Sequence, residues 1–220
     1  DANSQPSQIT TQNQMLMRAY RIRGFPTLVL ADALGRPYAI TGYHDGGLDA
    51  WIDEFKLLRQ AREERDLLFS EAKKTTGVER AKLLAQALPE LPGNLVARYY
   101  PKAVDEIIQL DPDNETGRVG YYKLLIADIR YANQMQKLGL AGQKQKMLEL
   151  SDQYLKEAKL EGPSRQGVLF NKVDIYGQLG RSADVIKTLQ DIVAVDPTSP
   201  QGKQAAKRLK ELAPNSENGN

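Results

Sequence analysis

The stretch Arg21-Ile22-Arg23-Gly24-Phe25-Pro26-Thr27, followed by the apolar run Leu28-Val29-Leu30, decides how the rest of this chain is read. A proline directly before an extended run removes one backbone donor and restricts the residue before it. X-Pro is also the bond at which the cis form costs little. Pro26 can therefore shape a loop that presents bare backbone to a ligand; the plainer alternative is that it shapes the loop and nothing more. Upstream, Met15, Leu16, Ala19 and Tyr20 recur at helical spacing and predict a short helix over about 11–21. Downstream, strands are expected at about 27–32 and 37–43, joined by the turn Asp32-Ala33-Leu34-Gly35-Arg36. Tyr38, Ile40 and Gly42 alternate with Ala39, Thr41 and Tyr43, which suits one buried and one wetter face. A polar break, His44-Asp45-Gly46-Gly47, leads into a helix from about Leu48 to Lys73. Leu48, Trp51, Ile52, Phe55 and Leu58 form its apolar stripe, and Trp51 and Phe55 are read as core packing.

The order helix, Gly-Phe-Pro-Thr, hairpin, helix resembles the C-terminal half of a thioredoxin fold, in particular secreted bacterial thioredoxin-like proteins with a Gly-Tyr-x-x-Gly-Gly turn after the hairpin. The resemblance covers roughly residues 1 to 58. It implies that Pro26 is the cis-proline of the family, that Phe25 offers its backbone to a substrate strand, and that Gly42 is the close-approach glycine after the second strand. The substrate-binding set is thus Phe25, Pro26, Thr27 and Gly42. In the family this loop lies against a Cys-x-x-Cys motif at the start of an earlier helix, where a thiolate is stabilised. These 220 residues contain no cysteine, so thiol–disulfide exchange, which needs a thiolate, is not expected of the chain alone. The resemblance implies a fragment of a longer extracytoplasmic protein, periplasmic or secreted; a natural half-domain is the other reading. It also implies a missing central strand beside Thr27–Asp32. An uncovered strand edge invites pairing with another chain.

Beyond the hairpin everything reads as helix, with spans expected at 78–88, 94–110, 117–138, 142–160, 164–179, 182–194 and 200–212. Arg59 to Arg65 is heavily charged and reads as a solvated linker helix. Two amphipathic segments, Ala103–Leu110 and Val185–Val195, both stop at Asp-Pro. The second follows a helix ending at Gly180 and is similar to a tetratricopeptide repeat, although the two stops are not separated by a whole number of repeats of about 34 residues. The fold class is therefore α+β: a partial thioredoxin-like fold (helix, β-hairpin, helix) followed by an all-α antiparallel helical-repeat region. The domains are read as 1–58 thioredoxin-like, 59–76 linker helix, 77–213 helical, and 214–220 a disordered tail.

The formal net charge of +2 gives no support for bulk attraction to nucleic acid or membrane. No apolar run approaches the roughly 20 residues of a membrane helix. His44, the only histidine, stands near Asp45 and Asp49, but a solvated loop explains it better than a metal site. No catalytic residue, metal or cofactor is expected, and no phosphate loop or Ser-His-Asp set is present. Tyr99-Tyr100 and Tyr121-Tyr122 are each expected to split between core and surface. Lys203, Lys207, Arg208 and Lys210 read as a solvated helix face. Two functions are open: part of a thiol–disulfide oxidoreductase or its redox partner, acting on protein substrates, or a non-catalytic interaction scaffold working through the helical-repeat face.

Overall fold

A computed structural model describes residues 7–43 and 45–212. The architecture is α+β, one two-stranded antiparallel sheet with a much larger helical part. The elements are α1 (Ser7–Tyr20), β1 (Thr27–Ala31), β2 (Pro37–Gly42), α2 (Gly47–Ala72), α3 (Gly77–Ala87), α4 (Gly93–Tyr99), α5 (Pro101–Leu110), α6 (Val119–Leu140), α7 (Lys144–Glu157), α8 (Gly162–Gln178), α9 (Ser182–Val195) and α10 (Pro200–Leu212). No described helix is long and apolar enough to cross a membrane. The chain forms two compact units, Asp1–Ile126 and Ala127–Asn220. The segment 59–76, read from the sequence as a linker, lies within the first of them. The tail 214–220 and His44 fall outside the described residues.

In the first unit the hairpin closes through a chemically specific turn. The Gly35 amide donates to the Asp32 carbonyl at 2.9 Å, and Gly35 takes φ 72°, a left-handed conformation cheap only for glycine. The Asp32 carboxylate accepts the amides of Leu34 and Arg36, each at 3.0 Å, which is how an aspartate pins a turn. Thr27 pairs with Gly42, Val29 with Ile40 and Leu30 with Ala39; the register then slips, so that Ala31 faces Pro37. The extra residue on β2 is Tyr38, and such a bulge sharpens local twist. Pro37 and Ala39 are buried while Tyr38 and Ile40 are half-buried, so Ala39 rather than Tyr38 marks the inner face.

The core of this unit is helical. Ala72, Leu84, Val96, Tyr100, Val104, Ile107, Val119 and Tyr122 pack together, drawn from α2 through the start of α6. The span expected as one helix over 94–110 is two. Tyr100 leaves helical geometry (φ −126°, ψ 38°) because Pro101 follows it, and a proline bars the α conformation at the preceding residue while lacking its own N–H. The break sets Tyr99 and Tyr100 side by side. Tyr100 is buried and Tyr99 half-buried, Tyr122 is buried and Tyr121 exposed, so both tyrosine pairs divide as expected.

The charged run before Arg65 is not uniformly solvated. Arg65 is 4% exposed. Its Nη1 donates to the Tyr100 hydroxyl at 2.7 Å, its Nη2 approaches Asp32 Oδ2 at 3.3 Å, and its Nε donates to Asp66 Oδ1 at 2.9 Å. The Tyr100 hydroxyl in turn donates to the Pro37 carbonyl at 2.7 Å. Farther along α2, Trp51 and Phe55 tilt against each other at 5.7 Å and are only half-buried, with Leu48 and Ile52 exposed, so the stripe expected to be core is open at its N-terminal end.

The second unit holds its own two clusters. Leu169, Val173, Leu189, Ile192 and Ala205 bind α8, α9 and α10 into consecutive packed helices. Tyr131, Tyr154, Leu160 and Val168 form the other, with the two tyrosine rings stacked at 4.4 Å. Gln166, fully buried, donates to the carbonyls of Ile192 and Asp196 at 2.9 Å and accepts from Ser199 Oγ, stitching α8 to the α9–α10 turn.

Trp51 is the only tryptophan, so its fluorescence reports on the first unit. Arg65→Met is expected to lower the resistance of that unit to urea by about 1–3 kcal/mol, the cost of losing hydrogen bonds from a charged donor, since Arg36 and two amides keep Asp32 paired. Tyr100→Phe, which removes a donor to Pro37 and an acceptor for Arg65, is expected to cost about 1–3 kcal/mol. Equal urea midpoints for the parent chain and Arg65→Met would show that the buried guanidinium does not hold this unit.

Candidate functional site

All four residues of the expected substrate-binding set stand together at the open end of the hairpin. Thr27 and Gly42 are paired across the strands. The Thr27 hydroxyl donates to the Gly24 carbonyl at 2.7 Å, closing the loop back on itself. The Phe25–Pro26 peptide bond is cis. Phe25 is 78% exposed, and Pro26 is exposed beside it. A Cβ built on Gly42 would stand 3.1 Å from the Pro26 carbonyl oxygen, closer than side chains normally approach, and Gly42 has ordinary backbone dihedrals. Room for the loop, not left-handed geometry, is what glycine provides there.

The far end of the hairpin is held much more firmly. Arg36 Nε and Nη2 both reach Asp32 Oδ2 at 2.8 Å, two charged contacts converging on one carboxylate oxygen. Burial pushes the Asp32 carboxyl up, but the hydrogen bonds from the Arg36 side chain and from the Arg36 and Leu34 amides outweigh it and hold the group below its ordinary value. Burial pushes the Tyr100 phenol above its ordinary range against the pull of Arg65. Tyr20, at the end of α1, donates to the Gly35 carbonyl at 3.0 Å and stacks on Tyr99 at 5.6 Å. Thr41 donates to Glu54 at 2.8 Å, tying β2 to α2. The loop at Phe25 is thus carried on a hairpin anchored to α1, α2 and the α4–α5 junction.

The sequence reading missed this anchor. Asp32, Gly35 and Arg36 were visible as a turn, but Arg65 sits in a run of charges with nothing to distinguish it, and Tyr100 gains its role only from the Pro101 break. Among the described residues no group of three or more His, Cys, Asp or Glu side chains could hold a metal. The α10 cations include Arg208, 3.5 Å from Asp174, and Lys207, 3.9 Å from Glu211.

Over 54 residues the chain is 39% identical to the disulfide bond reductase DsbH of Chlamydia pneumoniae. The match takes in 24% of this chain and 32% of that protein, so the chain spans about a third of the length of the curated relative it matches. No family model matches the chain, and no solved structure does.

The Asp32 carboxyl has the lower pKa in the folded chain. Its contribution is therefore complete above the ordinary carboxyl value of about 3.9 and disappears as pH falls through the folded value. Comparison of the parent with Asp32→Asn by urea unfolding should show a gap at neutral pH that narrows steadily below about pH 4, near the ordinary carboxyl value. A gap unchanged by acid would mean that the negative charge is not what anchors the turn.

Proposed function

We propose that residues 1–58 are the substrate-presenting half of a thioredoxin-like fold, and that the chain serves thiol–disulfide exchange by holding protein substrates rather than by supplying sulfur. The observation that carries this reading is the Phe25-Pro26-Thr27 loop packed against Gly42, with Phe25 projecting from a firmly anchored hairpin. The partial likeness to a disulfide bond reductase supports it. Exchange proceeds by attack of a thiolate on a disulfide sulfur through a mixed disulfide. With no cysteine among these 220 residues, both the attacking and the resolving sulfur must belong to sequence outside them. What the chain contributes is position: backbone at Phe25 to align an extended substrate segment, and the outer edge of β1, unpaired among the described residues, to receive another strand. An extracytoplasmic location follows from this chemistry, since disulfides persist in oxidising compartments. The helical region from residue 77 onward recruits partner proteins, and nucleic acid has no role.

The consecutive packing of α8, α9 and α10 around their own core favours a second reading, in which the hairpin is only a scaffold and the helices are an interaction surface. Two measurements test these readings, and the second separates them. With a thiol donor, the 220-residue chain should reduce insulin no faster than the donor alone; turnover above that background would overturn the assignment of sulfur to other sequence. A fluorescein-labelled, reduced insulin B chain should bind the parent, and Gly42→Val, which crowds the Pro26 carbonyl, should weaken binding about tenfold, or 1.4 kcal/mol. Circular dichroism and Trp51 emission should remain those of the parent. Full binding by Gly42→Val would remove the loop from the site and leave the scaffold reading. The coding sequence ahead of Asp1 offers a further check: a strand, Cys-x-x-Cys and helix read in frame there are what the first reading requires.

A further inference from the structure

A concave site lined by none of the Phe25 loop residues lies in the first unit. It is a cleft of about 620 Å³ between the end of α2, α3 and the α4–α5 junction, within the range of about 300–1,000 Å³ usual for ligand sites. Its apolar wall is made by Phe69, Leu84 and Tyr99, and Phe69 stacks on Tyr100 at 6.0 Å, so the wall is backed by the core. Around this wall the charges are unequal. Asp66 is taken up by Arg65 at 2.5 Å, and Glu106 by Arg80 at 2.5 Å. Arg80 also donates to the Ala72 carbonyl at 2.6 Å, and Arg36 is committed to Asp32. Both acids and both arginines of the cleft are therefore satisfied within the fold. Lys73 and Lys102 also line it, both exposed, and neither forms an ion pair with any described residue.

We infer that this cleft binds a short acidic peptide segment of a partner protein, one large apolar side chain against Phe69 and Tyr99 and carboxylates on Lys73 and Lys102. The charge left over after internal pairing is positive and falls at the rim of an apolar wall. A neutral apolar peptide would leave both ammonium groups unused, and a basic one would meet them as like charges. The exposed position of the lysines makes the contact a steering and selecting one, sensitive to salt within a Debye length of about 10 Å at 0.1 M.

The experiment uses the full 220-residue chain and a fluorescein-labelled, amidated pentapeptide of alternating glutamate and phenylalanine that begins and ends with glutamate. Fluorescence anisotropy should show saturable binding that weakens as sodium chloride is raised. The same peptide with glutamine in place of glutamate should bind at least about tenfold more weakly, a difference of 1.4 kcal/mol or more. The double variant Lys73→Glu with Lys102→Glu should lose a similar factor while Lys73→Arg with Lys102→Arg retains binding. Both lysines are exposed, so Trp51 emission and the urea midpoint should not move. Equal binding of the glutamine peptide, or full binding by the charge-reversed variant, would overturn the assignment, as would the absence of saturable binding. Gly42→Val, which tests the loop, should leave this peptide's affinity unchanged, so failure of one site is distinguishable from failure of the other.

Discussion

The guanidinium of Arg65 is the point at which three separate parts of the first unit meet. It touches the turn of the hairpin through Asp32, the start of α5 through Tyr100, and its own helix through Asp66. An arginine can do this because its planar fork offers several donors in fixed directions and keeps its charge at any ordinary pH. Buried ion pairs are a poor source of net stability, since desolvation offsets the attraction. What such a network supplies is uniqueness. With its partners placed as they are, the hairpin cannot slide on α2 without stranding a charge, and Tyr100 cannot turn away without losing the Pro37 carbonyl.

This constraint answers a difficulty that a two-stranded hairpin raises. Alone in water such a hairpin is marginal, and here none of the β1 residues is buried. Its hold on the rest of the unit runs through Tyr20 on Gly35, Arg65 on Asp32 and Tyr100 on Pro37 near the turn, and Thr41 on Glu54 along β2. At the opposite end Phe25 and Pro26 are exposed, while Thr41, beside Gly42, is tied to Glu54. A loop carried on a firmly held turn is the arrangement that the proposed function asks for.

Much of the fold was legible because its signals are local. A short apolar run after Pro26 marked the first strand and alternation the second, Gly and Pro marked the breaks between helices, and the Asp-Pro stops carry one physical device twice. Asp111 takes the amides of Glu115 and Thr116, and Asp196 those of Thr198 and Ser199, each aspartate capping the turn after the helix it ends. The split at Tyr100 was missed although Pro101 announced it, because the apolar spacing runs through the break without interruption. Arg65 was missed for a deeper reason. Its burial depends on Asp32 and Tyr100, 33 and 35 residues away, and no pattern within a helix distinguishes a buried arginine from its solvated neighbours. The loop residues were singled out through a resemblance, since spacing alone could not tell a substrate-presenting loop from a turn.

A loop that presents substrate without supplying sulfur, as proposed for Phe25-Pro26-Thr27, is chemically coherent. In disulfide exchange three sulfurs must approach in line, and the group that fixes the substrate backbone need not be the group that attacks. Separating the two places different demands on the sequence. The attacking thiol needs an environment that lowers its pKa, whereas the presenting loop needs only shape, exposure and a stiff base. Thr27 closing on Gly24, Gly42 making room for the Pro26 carbonyl, and the charged clamp at Asp32 satisfy those three needs. The acid-sensitive turn at Asp32 lies at the opposite end of the hairpin from Phe25 and Gly42.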